Sequence, residues 1–216
     1  TLSDAFMWRT DDKYQTIFKF TNILKLYFSI ENSLDLIFFS KNGECIKKYS
    51  LKYKNLSSSL VINDTFLGGI KDYGYFLVFS NVEKKNLLPI RNSYYIGYSW
   101  KNSPYSLVHG NIPIASRKND STEIKRNTVG YSFKKLSYQV QMKYDNSFDK
   151  SELFVINPSD KQVKFRVNNS EYAIKSYGCL LIDVTELDII QIVSNFYYFR
   201  PLTINYREKF IDVLHN

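Results

Sequence analysis

Alanine is almost missing from this chain: Ala5, Ala115 and Ala173 are the whole supply in 216 residues. No long stretch rich in Ala, Glu, Lys and Leu is present either, so long helices are not expected. No apolar run approaches the ~18 residues that a membrane-spanning helix needs. No signal peptide is visible, and a start at Thr1 without Met is what removal or omission of an N-terminal segment would leave.

Cysteine and histidine are equally sparse. Cys45 and Cys179 have no C-x-x-C spacing, which excludes the common zinc and thioredoxin-like motifs. Cys179, in the run Cys179-Leu-Leu-Ile-Asp183, reads as a small buried apolar residue. A Cys45–Cys179 disulfide stays open; the usage leans towards a reducing compartment without deciding it. His109 and His215 are the only histidines, and neither H-x-H nor H-x-x-x-H spacing occurs, which argues against a cupin-like metal centre. There is no G-x-S-x-G elbow, P-loop or dinucleotide fingerprint. No catalytic set, metal site or cofactor is therefore expected, and the balance is against an enzyme.

The abundant residues point to strands. The chain has 18 Tyr and 16 Phe, both strand formers. Tyr14 to Phe20 alternates apolar and polar residues, the period of a half-buried strand. Asn42-Gly43 is a hairpin signal, because both residues accept positive φ. Leu26 to Ile30 and Leu36 to Phe39 read as further strands. The net charge is +8, which suits a nucleic acid, an anionic glycan or an acidic partner. The lysines are scattered, however, as in surface filler of a Lys-, Asn- and Ile-rich composition, so nucleic acid ranks low.

Parts of the sequence occur twice. Phe154, Ile156, Ser159, Val163, Phe165 and Asn168 match Phe28, Ile30, Ser33, Ile37, Phe39 and Asn42 without a gap. The stretch 137–146 matches 13–22; Leu180, Ile182 and Thr185 match Leu60, Ile62 and Thr65. Ile204-Asn-Tyr206 matches Ile96-Gly-Tyr98, and Phe210, Val213 and Asn216 match Tyr105, Val108 and Asn111. Turn signals recur at the spacing of a β-sandwich. The expected fold is all-β, with two tandem pseudo-symmetric antiparallel β-sandwich modules, Ig-like or jelly-roll-like, from an internal duplication. The first module covers 1–111, a polar basic connector 112–130, and the second module 131–216.

Candidate binding residues gather at the final hairpin of each copy. Arg91 and Arg200 lie just before these hairpins, near Pro89 and Pro201. Each could hold a carboxylate or phosphate bidentately, or close an ion pair between modules. Tyr94, Tyr95, Tyr98, Trp100 and Tyr105 crowd the first hairpin; Tyr197, Tyr198, Phe199 and Tyr206 crowd the second. Alternate members of a strand point outward, where Tyr and Trp can stack on sugar rings or bases or anchor a protein. Inward members fill the core. His109, with Asn111 after it, marks a strand end, where a backbone-bonded His is the plain alternative to a site. Asp64 and Asp183 hold similar places in the two copies; a glycosidase needs two carboxylates in one cleft, whereas turn-forming Asp is the simpler account.

The expected function is that of a non-catalytic binding or interaction protein. It would recognise a glycan or a protein partner through Arg91, Tyr98, Trp100, His109, Asn111, Arg200 and Tyr206. A structural or assembly component (capsid, tail or surface) is the first alternative, and an enzyme with an inter-module cleft using His109 the second. An oligomer is compatible with either.

Overall fold

The structure is a computed structural model that describes residues 1–53, 55–82, 94–110, 113–118, 121–126, 138–143, 147–194, 196 and 200–215. The chain is all-β, with 62% of the described residues in strands and 3% in helix, arranged in antiparallel sheets. The first strands are β1 (Leu2–Arg9) and β2 (Tyr14–Thr21), followed by a short helix, α1 (Ile23–Phe28). Then come β3 (Asn32–Ser40), β4 (Cys45–Lys52), β5 (Ser57–Ile62), β6 (Tyr73–Val82), β7 (Tyr94–Trp100) and β8 (Ser106–His109). Two short strands follow, β9 (Pro113–Arg117) and β10 (Ile124–Arg126). The second half holds β11 (Tyr138–Lys143), β12 (Lys150–Ile156), β13 (Val163–Val167) and β14 (Ser170–Ile174). It closes with β15 (Cys179–Asp183), β16 (Ile189–Ser194), β17 (Leu202–Arg207) and β18 (Phe210–His215).

Four sheets result. Their strand orders are β10-β9-β1-β6-β3-β4, β5-β2-β7-β8, β11-β16-β13-β14 and β15-β12-β17-β18. Raising each strand number by ten turns β1-β6-β3-β4 into the third sheet and β5-β2-β7-β8 into the fourth. The four sheets give a propeller-like outline, but the chain alternates between sheets instead of finishing one blade before starting the next.

In the first half, β1-β6-β3 and β2-β7 face each other across a core of aromatic rings. Phe6 and Phe38 stack on Phe76 with centroids 5.3 and 5.0 Å apart, and Phe18 meets Phe76 edge-on at 5.6 Å. In the second half, Leu153 and Val155 of β12 and Ile182 of β15 pack against Val163 and Phe165 of β13 and Ile192 of β16. The other face of β12 carries Phe154 and Ile156, which join the first half's core together with Ile204 and Tyr206. The central strands β12 and β17 of the sheet β15-β12-β17-β18 are thus buried on both faces. That explains why Leu153 to Ile156 is an unbroken apolar run, whereas β13, covered on one face, alternates buried and exposed residues.

Three expectations need correction. Leu26 to Ile30 is not a strand. The Asn22 side chain accepts a hydrogen bond from Lys25 N at 3.0 Å and caps a helix that Ser29 ends in the left-handed region. The stretch 112–130 is not simply an exposed connector. β9 pairs with β1, β10 pairs with β9, and Ile114, Ala115 and Arg117 are buried. Its charges misled because Arg117 and Arg126 lie flat over the rings of Phe79 and Phe39, at 4.8 and 4.9 Å, and so cover the sheet. Finally, the matched sequence stretches do not fall on strands of the same order at the start of each half. By strand order β11 corresponds to β1 and β12 to β2, while Phe28, the apparent partner of Phe154, lies in α1. A gapless comparison slid because α1 fills a link, 22–31, that is shorter in the second half, 157–162.

The halves also dock through two turns. Asn42-Gly43 forms the expected hairpin turn, with Gly43 at φ +81. It lies against Tyr177-Gly178: Cys179 N donates to Lys41 O at 2.9 Å, and the Tyr75 hydroxyl donates to Tyr177 O at 2.9 Å.

Candidate functional site

A dense polar cluster sits between the halves. Arg9 ends β1, and its Nη1 donates to Glu152 Oε2 of β12 at 2.6 Å and to Tyr206 Oη of β17 at 3.0 Å. Its Nε donates to Asp11 Oδ1 at 2.7 Å, and its guanidinium lies 4.0 Å from the centre of the Tyr14 ring. The Tyr14 hydroxyl donates to Tyr206 Oη, and Tyr206 donates to Glu152 Oε2. Lys150 Nζ donates to the other carboxylate oxygen at 2.8 Å.

Burial and partners together set the charges. Burial disfavours the Arg9 cation, but the Asp11 hydrogen bond and the nearby Tyr14, Tyr206 and Glu152 outweigh it and raise its pKa. Burial also works against the Glu152 carboxylate, yet the Arg9 charge and the bonds from Arg9, Lys150 and Tyr206 hold its pKa below the usual range. Burial keeps the Tyr14 and Tyr206 hydroxyls neutral, well above their usual range. A satisfied Arg–Glu pair with two neutral tyrosines forms a lock, because every polar atom that could attack or bind is already engaged.

The residues singled out from the sequence scatter. Tyr98 is buried inside the first half's core and its hydroxyl donates to Met7 O at 3.0 Å. Tyr206 is buried too, but on the face of its sheet that looks away from its own half's core. The matching Ile-x-Tyr triplets of β7 and β17 therefore face opposite ways relative to their own half's core, although both pair in the same register with the strand that follows. Trp100 is half-buried; its Nε1 donates to Asp12 Oδ2 at 3.3 Å, its ring meets Tyr206 edge-on at 5.2 Å, and Lys101 Nζ lies 3.6 Å from its centre. Arg91 and Asn111 lie outside the described residues.

His109 is exposed, and its Nδ1 donates to Gly110 O at 3.0 Å. The structure brings it to His215, with ring centroids 4.4 Å apart, because β8 and β18 run side by side at the seam. His215 Nε2 donates to His109 O at 2.9 Å. Burial, then the charges of Arg200 and His109, lower the His215 pKa to about 4 against the opposing backbone bond. Arg200 thereby falls beside the histidine pair. Asp64 and Asp183 each accept a hydrogen bond from the backbone of a following threonine, Thr65 and Thr185, and so are turn-formers. The cysteines are free, Cys179 buried and Cys45 exposed.

An open groove of about 690 Å³ lies on the second half. Its walls are the β13–β14 turn, the β15–β16 link and the start of β12, and they present Lys150, Asn169, Tyr172, Asp183, Thr185 and Glu186. Asn168, at φ +50, shapes the rim: its Nδ2 donates to Ile189 O and its Oδ1 accepts from Gln191 N. The Tyr172 ring is stacked on Phe165 at 5.5 Å. Burial works against the Asp183 charge, but the Thr185 side-chain and backbone bonds and the Lys150 charge keep its pKa below the usual range. Among the described residues no three His, Cys, Asp or Glu gather as a metal site.

Sequence reasoning missed Arg9 and Glu152. The available signal was a charged residue next to an apolar strand run in each half, Phe6-Met7-Trp8-Arg9 and Glu152-Leu153-Phe154. No family model matches the chain, and no curated protein is significantly similar to it.

Proposed function

We propose that the chain is a duplicated β-sandwich protein that binds a hydroxyl-rich ligand, a glycan, without catalysing a reaction. Several observations support the duplication: the strand orders coincide after a shift of ten, and a fully buried Asn follows β2 and β12 alike, Asn22 and Asn157. The observation that carries the binding reading is the open groove with Lys150, Asn169, Tyr172, Asp183 and Glu186. Carboxylates, an amide and an ammonium can exchange hydrogen bonds with sugar hydroxyls, while a tyrosine ring offers an apolar face. The Arg9–Glu152 cluster supports the non-catalytic part, since its groups satisfy one another. The final hairpins give less support than the groove, because Tyr98 and Tyr206 are buried.

Edge-to-edge assembly, the structural alternative, is disfavoured at β4, an edge strand that carries Lys47, Lys48 and Lys52. A glycan array read with the wild type and with Asn169→Ala/Glu186→Ala tests the binding reading. Glycan capture by the wild type, lost in the variant at unchanged melting temperature, is the expected result. Absence of any captured glycan, or capture that the variant retains, overturns it.

A further inference from the structure

The helix α1 has no counterpart in the corresponding link of the second half, 157–162, and that link shows what the fold itself requires. There the same link runs from Asn157, whose Nδ2 donates to Lys161 O, Ile174 O and Lys175 O at 2.7, 3.1 and 2.8 Å, and the chain passes directly to β13. In the first half the link instead builds a capped helix. Leu24 alone among its residues is buried, while Leu26, Tyr27 and Phe28 stand exposed, Tyr27 at 72%. Leu56, also exposed, lies at the capped start of the helix, its carbonyl accepting a hydrogen bond from Asn22 N at 2.7 Å.

Three consecutive residues of a helix span about 200° of its circumference, so no single face of α1 can bury them all. A run of exposed apolar residues that the core does not use is unfavourable unless it meets something. The Ser29 cap and the bonds from Ser29 N to Lys25 O and Ile30 N to Leu24 O hold the knob in shape.

We propose that α1 is a membrane-contact knob that lets the protein bind peripherally to an anionic lipid surface, with Leu26, Tyr27, Phe28 and Leu56 entering the interface. Three features select this occupant. The helix is six residues, less than two turns, so it lacks the i, i+3, i+4, i+7 anchors by which a helix fills a protein groove. Exposed Lys25 lies on the helix itself, exposed Lys19 stands three residues before its cap, and exposed Lys52 pairs with Ser33 just beyond its end; Lys25 is shared with Glu31 at 2.6 Å. The chain as a whole carries +8, which favours an anionic surface and opposes a second copy of itself. Tyr and Phe with a lysine rim are the residues that settle at the headgroup boundary.

Co-sedimentation with vesicles tests this, using pure phosphatidylcholine and a phosphatidylcholine–phosphatidylserine mixture. The wild type is expected to sediment with the anionic vesicles, at least about tenfold more tightly than with the neutral ones, and to be released by salt. Tyr27→Ser/Phe28→Ser is expected to lose that binding while melting as the wild type does. No binding to anionic vesicles, equal binding to neutral ones, or retention by the double variant overturns the proposal. So does a wild-type dimer in sedimentation velocity that the double variant abolishes, since a second copy would then be the occupant. The glycan reading stands or falls separately, because its array uses the groove on the other half.

Discussion

Arg9 and Glu152, 143 positions apart in sequence, meet at 2.6 Å in the seam between the two halves, with both side chains less than a tenth exposed. Each has a second, more exposed partner, Asp11 for Arg9 and Lys150 for Glu152, but both charges are buried enough that losing the direct pair leaves one of them under-compensated. Tyr14 and Tyr206 complete the cluster, and Asp11 and Lys150 connect it to the surface.

Removing one partner should therefore cost more than removing a surface charge. Glu152→Ala leaves the Arg9 cation buried, and the expected loss is about 3–5 kcal/mol of unfolding free energy. Lys150→Met removes the exposed arm of the same cluster and should cost less than about 1 kcal/mol. Urea unfolding of both variants checks the ordering; equal losses would show that the buried pair does not hold the seam.

Stability should fall with acid in two stages. The folded state holds His215 at about 4 against an ordinary 6.5, so the unfolded chain binds more protons between those values. This contribution is complete above pH 6.5 and is lost as the pH drops to about 4. The Arg200 charge beside His215 adds to the effect of burial in opposing its protonation. Glu152 and Asp35 are held below their ordinary 4.5 and 3.8, chiefly against burial, by the charges and hydrogen bonds of Arg9 and Arg117 and their neighbours. Their contribution survives the first stage and is lost as the pH falls below those ordinary values. Urea midpoints followed from pH 8 to pH 3 should show both stages, and His215→Asn should remove the first alone.

The docking of the two turns can be weighed with a pair of glycine variants. A Cβ on Gly43 would lie 2.6 Å from Tyr177 O, at φ +81; one on Gly68, at φ +74, would meet nothing within 4 Å. Both substitutions carry the left-handed penalty of about 1–2 kcal/mol. Gly43→Ala should lose clearly more than Gly68→Ala in thermal unfolding, and the excess reports the contact between halves.

Much of the fold was legible in local pattern. Tyr14 to Thr21 alternates because one face of β2 is buried more fully than the other, and Asn42-Gly43 turns because Gly43 accepts its positive φ. Cys179 reads correctly as a buried apolar residue. The candidate site was far less legible. Tyr206 looks like Tyr98 in sequence, but the two face opposite ways across their sheets, and the choice of face depends on what packs there. Leu26 to Phe28 has the composition of a strand; only the Asn22 cap and the absence of a pairing partner make it a helix.

By itself, the sequence determined that this chain is built from antiparallel strands with aromatic cores, because strand period and turn chemistry act over a few neighbouring residues. Tertiary structure alone decided that Arg9 and Glu152 form one lock, that His109 meets His215, that Arg117 and Arg126 cover a sheet, and that an open groove remains on the second half. Those outcomes depend on contacts between residues dozens to more than a hundred positions apart. Such contacts arise only once two sheets, each indifferent to the other in sequence, bury their apolar faces together.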